Sequence, residues 1–505
     1  MKRLLGLLVL AWATFPAATT QAEQNRPNVL FIAVDDLKPA IGAFGDKRAV
    51  TPNLDRLAGM GTAFLNAHCQ QAICGPSRVS LLLGLRPDAT RVWDLQTKFR
   101  DTTPDAVTLP QRFKQAGYTT VGMGKIFDVR STPGPRDMDA ASWSEPYTVV
   151  SSPAVETFSY RNPDTVAHVE RVLASGRTQG GWEERLKTIF PEGKPATDRA
   201  NVPDNAYHDG AMTELAIERL DGFAESGESF FLAVGFNKPH LPFNAPAKYW
   251  DLYDRDDFTI APFQQDPQGA PPFATQPGWE LRFHYDVPKE GPISEARQLE
   301  LIHGYYAATS YVDAQVGRLL DALEANGQLD GTVIVLWGDH GWHLGDHDMW
   351  CKHTNYEQAT RSPLIVAAPG VGRAGSRGRA PVEFVDVYPT LLDLAGIEPA
   401  GPLHGVSLRP ILEDPQARVK DAAVSQYPRQ FGDDHFMGYA YRTDRFRLVQ
   451  WRARDTNDPD PSQGPVVATE LYDYAVDPLE TRNLADDPAY AQARTNLEAL
   501  ARGVE

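Results

Sequence analysis

Cysteine is scarce in this chain of 505 residues, which contains only Cys69, Cys74 and Cys351. Three thiols cannot all pair with one another, so the sequence excludes a complete disulfide framework. Cys69 and Cys351 could pair in an oxidising compartment, and Cys74 would then remain as the odd thiol. No C-x-x-C spacing occurs, so the cysteines do not indicate a zinc site.

The chain also lacks a long apolar run beyond its first residues. Lys2 and Arg3 precede the apolar run Leu4–Ala13, and small residues follow as far as Ala22. This pattern is typical of a secretory signal peptide, and the run is shorter than the about 20 residues that cross a bilayer. We predict that residues 1–22 are a signal peptide and that the mature protein is periplasmic or secreted, without a membrane span.

Positive charge is in deficit, because 49 Lys and Arg residues face 66 Asp and Glu residues and the formal net charge is −17. Such a surface repels nucleic acids and other polyanions, so no nucleic-acid partner is expected. An anionic substrate would have to be held by a local cluster of Arg and Lys. The hydrophobic content of 42% is ordinary for a globular protein, and the length predicts more than one compact domain.

Short continuous apolar runs alternate with helical patterns through most of the chain. The predicted strands are Asn28–Val34, Tyr118–Met123, Phe230–Phe236, Val333–Trp337 and Leu364–Ala368, and the predicted helices are Thr51–Ala67, Leu109–Gln115, Asp209–Ala224 and Arg297–Ala325. This alternation predicts an α/β domain, residues 23–415, with a largely parallel sheet.

The pattern changes after about Leu412. Four short segments predict antiparallel strands, and a helix is predicted near Ala489–Arg502; the segments are Ala423–Tyr427, Gly438–Tyr441, Phe446–Trp451 and Glu470–Tyr474. We assign residues 416–505 to a smaller C-terminal α+β domain. Two long segments without periodicity, 130–205 and Pro262–Pro292, are predicted to form walls of a pocket.

Polar residues follow four of the predicted strands: Asp35-Asp36, Gly124-Lys125, Asn237–His240 and Asp339-His340. Ligands of such sheets bind beyond the carboxyl ends of the strands, so these groups are expected to meet. A single Asp is more typical of a helix cap or a loop. Three carboxylates and one imidazole together, however, suit a hard divalent cation, Ca²⁺ or Mg²⁺. His343 and His347, further along, do not have zinc spacing, and we expect them either to surround the metal ligands without binding the metal or to lie at the surface.

Cys74 stands in the run Ile73–Arg78, at the predicted start of a helix. A helix N-terminus and the guanidinium of Arg78 would both attract an anion. A free cysteine is more often a small buried core residue, and that alternative stays open from this run alone.

The run Cys74–Arg78 reads Cys-Gly-Pro-Ser-Arg and resembles the C-x-P-S-R signature of the type I, formylglycine-dependent sulfatases. Leu82, Gly84 and Arg86 follow as they often do in that family. The other polar groups, with Lys352, recur in the family's order. The segments Lys238–Phe243 and Ser425–Arg429, together with Asp339-His340, are similar to iduronate-2-sulfatase and its bacterial relatives.

The resemblance implies an alkaline-phosphatase-like fold with a large mixed sheet flanked by helices. It implies a sulfuric ester hydrolase whose nucleophile is a formylglycine, made from Cys74 by a maturation enzyme. The implied metal ligands are Asp35, Asp36, Cys74, Asp339 and His340, and the implied catalytic residues are Cys74, Arg78, Lys125, His240 and Lys352. The expected substrate is a sulfated oligosaccharide or polysaccharide, with an exo-acting 2-O-sulfatase on a uronic acid as the leading interpretation.

One residue departs from the family's pattern. Relatives typically have His three residues after the lysine that corresponds to Lys125, and this chain has Asp128. We include Asp128 among the catalytic residues, as a carboxylate that would accept the proton in place of that His. Two alternatives stay open: a phosphonate monoester or phosphodiester hydrolase of the same superfamily, and a carbohydrate-binding homologue with impaired catalysis.

Overall fold

The computed structural model describes residues 26–134, 138–148, 160–175, 192–455 and 460–504, and the predicted signal peptide lies outside this part of the chain. A seven-stranded mixed sheet forms the centre of the described protein. The strands lie in the order Ser376–Gly378, Thr62–Phe64, Leu364–Ala367, Thr332–Gly338, Asn28–Val34, Phe230–Phe236 and Thr119–Gly124. The last four of these pair in parallel, while Leu364–Ala367 runs antiparallel to both of its neighbours. The predicted α/β architecture is confirmed.

The strand Asn28–Val34 explains why the sheet is covered on both faces. Its alternate residues enter two different hydrophobic clusters: Phe31 lies in one and Ile32 in the other, and both side chains are fully buried. Successive strand residues point to opposite faces, so a continuous apolar run requires a layer on each side. The helices Cys74–Leu83, Leu109–Gln115 and Val387–Ala395 contribute to one layer, and Pro52–Met60, His208–Ser226 and Glu295–Ala325 contribute to the other.

The predicted helix Thr51–Ala67 is wrong in its second half. The helix spans Pro52–Met60, and the strands Thr62–Phe64 and Ala67–His68 follow it. Gly61 lies so close to a neighbouring strand that a Cβ there would be 2.3 Å from the carbonyl oxygen of Val366. Pairing with that strand therefore overrides the local helical pattern, as tertiary contacts often do.

The long helix Glu295–Ala325 supports the end of the central strand. Its N-terminus is capped by Ser294, whose side chain accepts a hydrogen bond from the backbone N–H of Arg297. Tyr305, fully buried on this helix, donates its hydroxyl to the carbonyl oxygen of Asp36 at 2.7 Å and accepts from the N–H of Lys38 at 2.8 Å. The helix thus fixes the turn that follows the strand.

The C-terminal part contains the predicted antiparallel sheet. Its strands Ala423–Phe431, Asp434–Arg442, Phe446–Ala453 and Val466–Asp473 pair in that order, and the helix Ala491–Val504 follows. Smaller pairs are formed by Ala67–His68 with Val382–Glu383, Thr197–Ala200 with Phe243–Pro246, and His343–Leu344 with Trp350–Cys351. A further helix spans Pro163–Ala174. Among the described residues, no helix combines the length and apolar character needed to cross a membrane.

Candidate functional site

Two acidic turns meet at the carboxyl edge of the sheet because their strands are neighbours. Val34 pairs with Gly338 in parallel register, so Asp35 and Asp36 emerge beside Asp339. The N–H of Asp36 donates to Oδ1 of Asp339 at 2.9 Å, and the N–H of Asp339 donates to the carbonyl oxygen of Val34 at 3.1 Å. All three carboxylates are buried.

These carboxylates form a donor set suited to a hard cation. One donor atom from each of Asp35, Cys74, Asp339 and His340 lies within 4.8 Å of the others, and Asp35, Asp36, Cys74 and His240 form a second such set. Within the described part of the chain, the buried Oδ2 of Asp36 has no hydrogen-bond partner. A buried unpartnered carboxylate oxygen is costly unless a positive charge faces it. Oxygen donors with one imidazole fit Ca²⁺ or Mg²⁺ better than zinc.

Cys74 is the first residue of the helix Cys74–Leu83 and lies against this acidic cluster. Its Sγ is 3.4 Å from Asp35 Oδ1, 3.4 Å from His340 Nε2 and 3.6 Å from Lys352 Nζ. Burial, followed by the negative charge of Asp35, raises the pKa of the Cys74 thiol well above its usual range. A thiol held neutral is a poor nucleophile, although it faces the centre of the site.

Arg78 lies one helical turn after Cys74 and is fully buried. Its Nε donates to Asp339 Oδ2 at 2.9 Å and its Nη2 lies 3.3 Å from Asp35 Oδ1. Its Nη1 donates to the carbonyl oxygens of Lys125 and Ile126. The guanidinium therefore connects the helix to three strand ends and balances two of the buried carboxylates.

Lys125 and Lys352 approach the same cluster from two sides. Lys125 Nζ lies 2.6 Å from Asp35 Oδ2, and Lys352 Nζ lies 2.7 Å from Asp36 Oδ1. Burial lowers the pKa of each lysine, but the carboxylates outweigh it, Asp35 foremost at Lys125 and Asp36 foremost at Lys352, so that both pKa values are raised. Both side chains therefore remain cationic next to Cys74.

His240 follows the strand Phe230–Phe236 and faces a carboxylate that the sequence did not reveal. Its Nδ1 donates to the carbonyl oxygen of Leu241 at 2.7 Å, which leaves Nε2 2.9 Å from Glu280 Oε1 and 3.9 Å from Asp36 Oδ2. Burial lowers the pKa of His240, but Asp36 and Glu280 outweigh it, and the net pKa is raised. The imidazole is thus favoured as a proton donor.

Glu280 also contacts the second cation, because its Oε2 lies 3.1 Å from Lys352 Nζ. It belongs to the segment Pro262–Pro292, in which no periodicity or motif marked any single residue. Its position on the single-turn helix Trp279–Arg282 is set by tertiary packing. No signal in the sequence alone could have identified it.

Asp128 lies at the site, but its contacts disfavour the role of proton acceptor. Its two carboxylate oxygens each lie 2.8 Å from Arg130, Oδ1 from Nε and Oδ2 from Nη2. Lys125 Nζ is 3.7 Å away. Burial raises the pKa of Asp128, but hydrogen bonds from Arg130 and the charge of Lys125 outweigh it, and the pKa is strongly lowered. A carboxylate held in this way is a weak base, so the geometry identifies it as the ion partner of Arg130.

A cavity of about 780 Å³ opens above Cys74. The lining residues include Lys125, Asp128, Arg130, Lys194, His240, Trp279, Glu280, Phe283 and Lys352. Trp279 and Phe283 are exposed at this wall. Both segments without periodicity thus contribute to the cavity as predicted, although residues 135–137, 149–159 and 176–191 lie outside the described residues.

His343 and His347 do not lie at the surface: both are buried and form hydrogen bonds within the protein. His343 is buried with Nε2 3.0 Å from Thr354 Oγ1, and His347 donates from Nε2 to the carbonyl oxygen of Leu479 at 2.9 Å. Cys69 and Cys351 are both buried free thiols. Cys69 and Cys351 therefore do not form the disulfide that the sequence left open.

The sequence matches the family model described as Sulfatase over residues 27–397. A second model, described as the C-terminal part of N-sulphoglucosamine sulphohydrolase, matches residues 345–503. Similar proteins include iduronate 2-sulfatase of Homo sapiens, which is 34% identical over 96% of this chain and 96% of its own length. A sulfatase of Formosa agariphila is 32% identical over 98% of this chain and 90% of its own.

Solved structures share the fold along nearly the whole chain. A protein in complex with its substrate D-glucosamine-2-N,6-O-disulfate gives a TM-score of 0.70 at 24% identity, with 95% of this chain and 97% of that chain covered. Phosphonate monoester hydrolase of Silicibacter pomeroyi gives a TM-score of 0.70 at 25% identity, with 94% of each chain covered. The predicted fold is confirmed, with its large mixed sheet and its C-terminal antiparallel sheet.

Proposed function

Because the chain belongs to the sulfatase family and is a sulfuric ester hydrolase, we propose that it removes sulfate from a saccharide with a formylglycine made from Cys74. The observation that carries this proposal is the surroundings of Cys74 Sγ. Asp35, His340 and Lys352 approach it within 3.6 Å, yet the thiol itself has a raised pKa. A neutral thiol at the centre of this cluster would be a poor nucleophile. Its conversion to an aldehyde would remove this difficulty, because the hydrated aldehyde supplies a hydroxyl nucleophile.

A divalent cation, Ca²⁺ or alternatively Mg²⁺, fits the donor set of the acidic cluster. The residues that would hold it are Asp35, Asp36, Asp339, His340 and the side chain at position 74. Such a cation supplies fixed positive charge for the sulfate oxygens. Arg78 balances part of the negative charge of the carboxylates through its ion pairs with Asp339 and Asp35.

The chain's own cations supply the rest of the chemistry. Lys125 and Lys352 remain protonated near position 74, so they can hold the sulfate oxygens as negative charge shifts to the leaving group. His240, whose pKa is raised, can donate the proton at Nε2 to the departing sugar oxygen. The hydrogen bond from Nδ1 to the carbonyl oxygen of Leu241 leaves Nε2 as the nitrogen that can face the substrate.

The proposed substrate is a chain end that carries a 2-O-sulfate on a uronic acid, or a related sulfated saccharide fragment. The similarity to iduronate 2-sulfatase supports this class, and a cavity of about 780 Å³ is large enough for a sugar unit. A maturation enzyme that oxidises Cys74 is the proposed partner. We further propose a signal peptide at residues 1–22, a periplasmic or secreted location, and domains at 23–415 and 416–505.

A second candidate is hydrolysis of phosphonate monoesters, favoured by the similarity to the Silicibacter pomeroyi enzyme. Both anions are tetrahedral, so the cluster of cations does not distinguish sulfur from phosphorus. The test compares kcat/KM for p-nitrophenyl sulfate with kcat/KM for p-nitrophenyl phosphate and a phosphonate ester. A panel of defined sulfated saccharides then identifies the sugar and the sulfate position.

Faster turnover of the sulfate ester, abolished in Cys74→Ala, supports the proposal. Faster turnover of the phosphonate ester would favour the second candidate. Saccharide binding without turnover of any ester would indicate the homologue with impaired catalysis.

A further inference from the structure

Arg130 is a cation on the wall of the cavity that the proposed reaction does not use. Half of its side chain is exposed, yet its conformation is fixed by Asp128. Nε and Nη2 each lie 2.8 Å from a different oxygen of that carboxylate, and the backbone N–H of Arg130 donates to Asp128 Oδ1 at 3.0 Å. A parallel pair of hydrogen bonds of this kind sets the plane of the guanidinium.

We call this pair of hydrogen bonds between Arg130 and Asp128 the fork. It occupies one edge of the guanidinium and leaves another edge for a ligand. Within the described part of the chain, Nη1 of Arg130 donates no hydrogen bond to a protein acceptor. Arg130 lines the same cavity as Cys74 and Glu280. Hydrogen bonds to Asp128 raise the pKa of Arg130 against the opposing effect of burial, and the charge of Glu280 adds to the rise. Arg130 therefore stays charged and lies within electrostatic reach of the reacting side chain.

A second pair in the chain has the same local geometry without the cavity. Arg48 donates from Nε and Nη2 to Asp46 at 3.1 and 2.9 Å, and its backbone N–H donates to the same carboxylate at 3.0 Å. Its side chain is 47% exposed, close to the 50% of Arg130. The Asp-x-Arg fork therefore also forms where it serves local structure only. The cavity is what distinguishes Arg130.

We propose that Arg130, oriented by Asp128, is a specificity-determining residue that binds a second anionic group of the substrate, either a carboxylate or a second sulfate. This inference rests on the proposed function and deepens it. An arginine whose side chain is already ordered loses little conformational entropy when it binds, and its planar fork matches either anion. In a chain with net charge −17, such a fixed cation provides the local attraction that the surface lacks.

The test measures kcat and KM on three esters: p-nitrophenyl sulfate, a 2-O-sulfated uronic acid, and a disulfated hexosamine without a carboxylate. The last two separate carboxylate from sulfate as the second anion. In Arg130→Ala, the ratio of kcat/KM for at least one dianionic ester to that for p-nitrophenyl sulfate should fall by about tenfold or more, mainly through KM. Arg130→Lys should keep part of the selectivity, and the matched control Arg48→Ala should keep all of it.

Replacing Arg130 alone leaves Asp128 without its ion partner and could destabilise the fold. A second variant separates that effect from the loss of a substrate contact. Asp128→Asn combined with Arg130→Gln removes both charges and should show the same loss of selectivity, with an unfolding midpoint close to that of the wild type. An unchanged selectivity ratio in both variants overturns the inference, as does an equal fall in the Arg48→Ala control.

Binding separates failure of this inference from failure of the proposed function. In the Cys74→Ala background, calorimetric titration with the same two saccharides should show weaker binding when Arg130 is also replaced by Ala. That result would support the subsite even if no ester were turned over. Equal affinities with and without Arg130 would contradict it.

Discussion

Glu280 Oε1 lies 2.9 Å from Nε2 of His240, the nitrogen that faces the reacting centre. This ion pair connects the single-turn helix Trp279–Arg282 to the strand end that carries the proposed general acid. Since the other oxygen of Glu280 lies 3.1 Å from Lys352, one carboxylate holds two of the cations in the site. Glu280 is therefore a positioning residue whose effect should appear in the pH dependence of the reaction.

Glu280→Gln should move the alkaline limb of the kcat/KM profile to lower pH. The raised pKa of His240 depends in part on the charge of Glu280. Proton donation is complete below the pKa of His240 and is lost as the pH rises through it, so a lower pKa brings the loss to lower pH. Glu290→Gln, an exposed change in the same segment, is the control. A profile that does not move in Glu280→Gln would contradict this role.

Calcium should stabilise the wild-type protein through the acidic cluster. At a concentration about 100 times the dissociation constant, a ligand of the native state adds about 2.7 kcal/mol of stability. Thermal unfolding with Ca²⁺, with Mg²⁺ and with a chelator measures the effect. Asp36→Asn removes charge from the carboxylate whose Oδ2 lacks a partner, and it should reduce the response. An equal rise in Tm for this variant and the wild type would exclude Asp36 as a ligand.

Arg78→Met should destabilise the protein by about 3–5 kcal/mol, because Asp35 and Asp339 then lose a buried counter-charge. Urea unfolding in the presence of a chelator measures this without a contribution from metal. Arg56 forms exposed pairs with Asp321 and Glu324, so Arg56→Met should cost no more than about 1 kcal/mol. Similar losses in the two variants would show that the buried pairs contribute no special stability.

Glu383 should make stability depend on pH in the acid range. Burial raises the pKa of Glu383, but its ion pairs with Arg86 and Lys420 outweigh this and bring the pKa to about 2. A lowered native pKa stabilises the fold above the usual value of 4.5, and this stability is lost as the pH falls from 4.5 to about 2. Glu383→Gln should be less stable near neutral pH and show a smaller loss over that interval.

The exposed pair of Glu413 with Arg409 supplies the control for this measurement. Glu413→Gln should leave the acid dependence of the unfolding midpoint nearly unchanged. If Glu383→Gln retained the full dependence of the wild type, other carboxylates would have to be its source.

The strand ends were predictable because their apolar runs are continuous and their polar residues follow directly. Asp35 and Asp339 could be expected to meet once the strands before them were assigned to one parallel sheet. Thr62–Phe64 could not be recognised as a strand, since its pairing partner Leu364–Ala367 lies about 300 residues further along the chain.

Residues on the cavity wall were less predictable. Glu280 lies in a segment with neither periodicity nor a motif, and only tertiary packing brings it to His240. The departure at Asp128 was visible in the sequence, and its spacing from Arg130 could have suggested the fork. That this fork lines the cavity beside Cys74, while the one at Asp46 and Arg48 does not, depends on the fold.

The conversion of Cys74 to formylglycine is tested most directly by the mass of the tryptic peptide Leu57–Arg78, after reduction and alkylation of protein that releases sulfate from its ester. This peptide contains both Cys69 and Cys74, so Cys69 serves as an internal control for labelling. If position 74 is a formylglycine, this peptide carries a single alkyl group, on Cys69, and has the mass of an aldehyde or its hydrate at position 74. Alkylation of both cysteines in fully active protein would show that catalysis does not require conversion of Cys74.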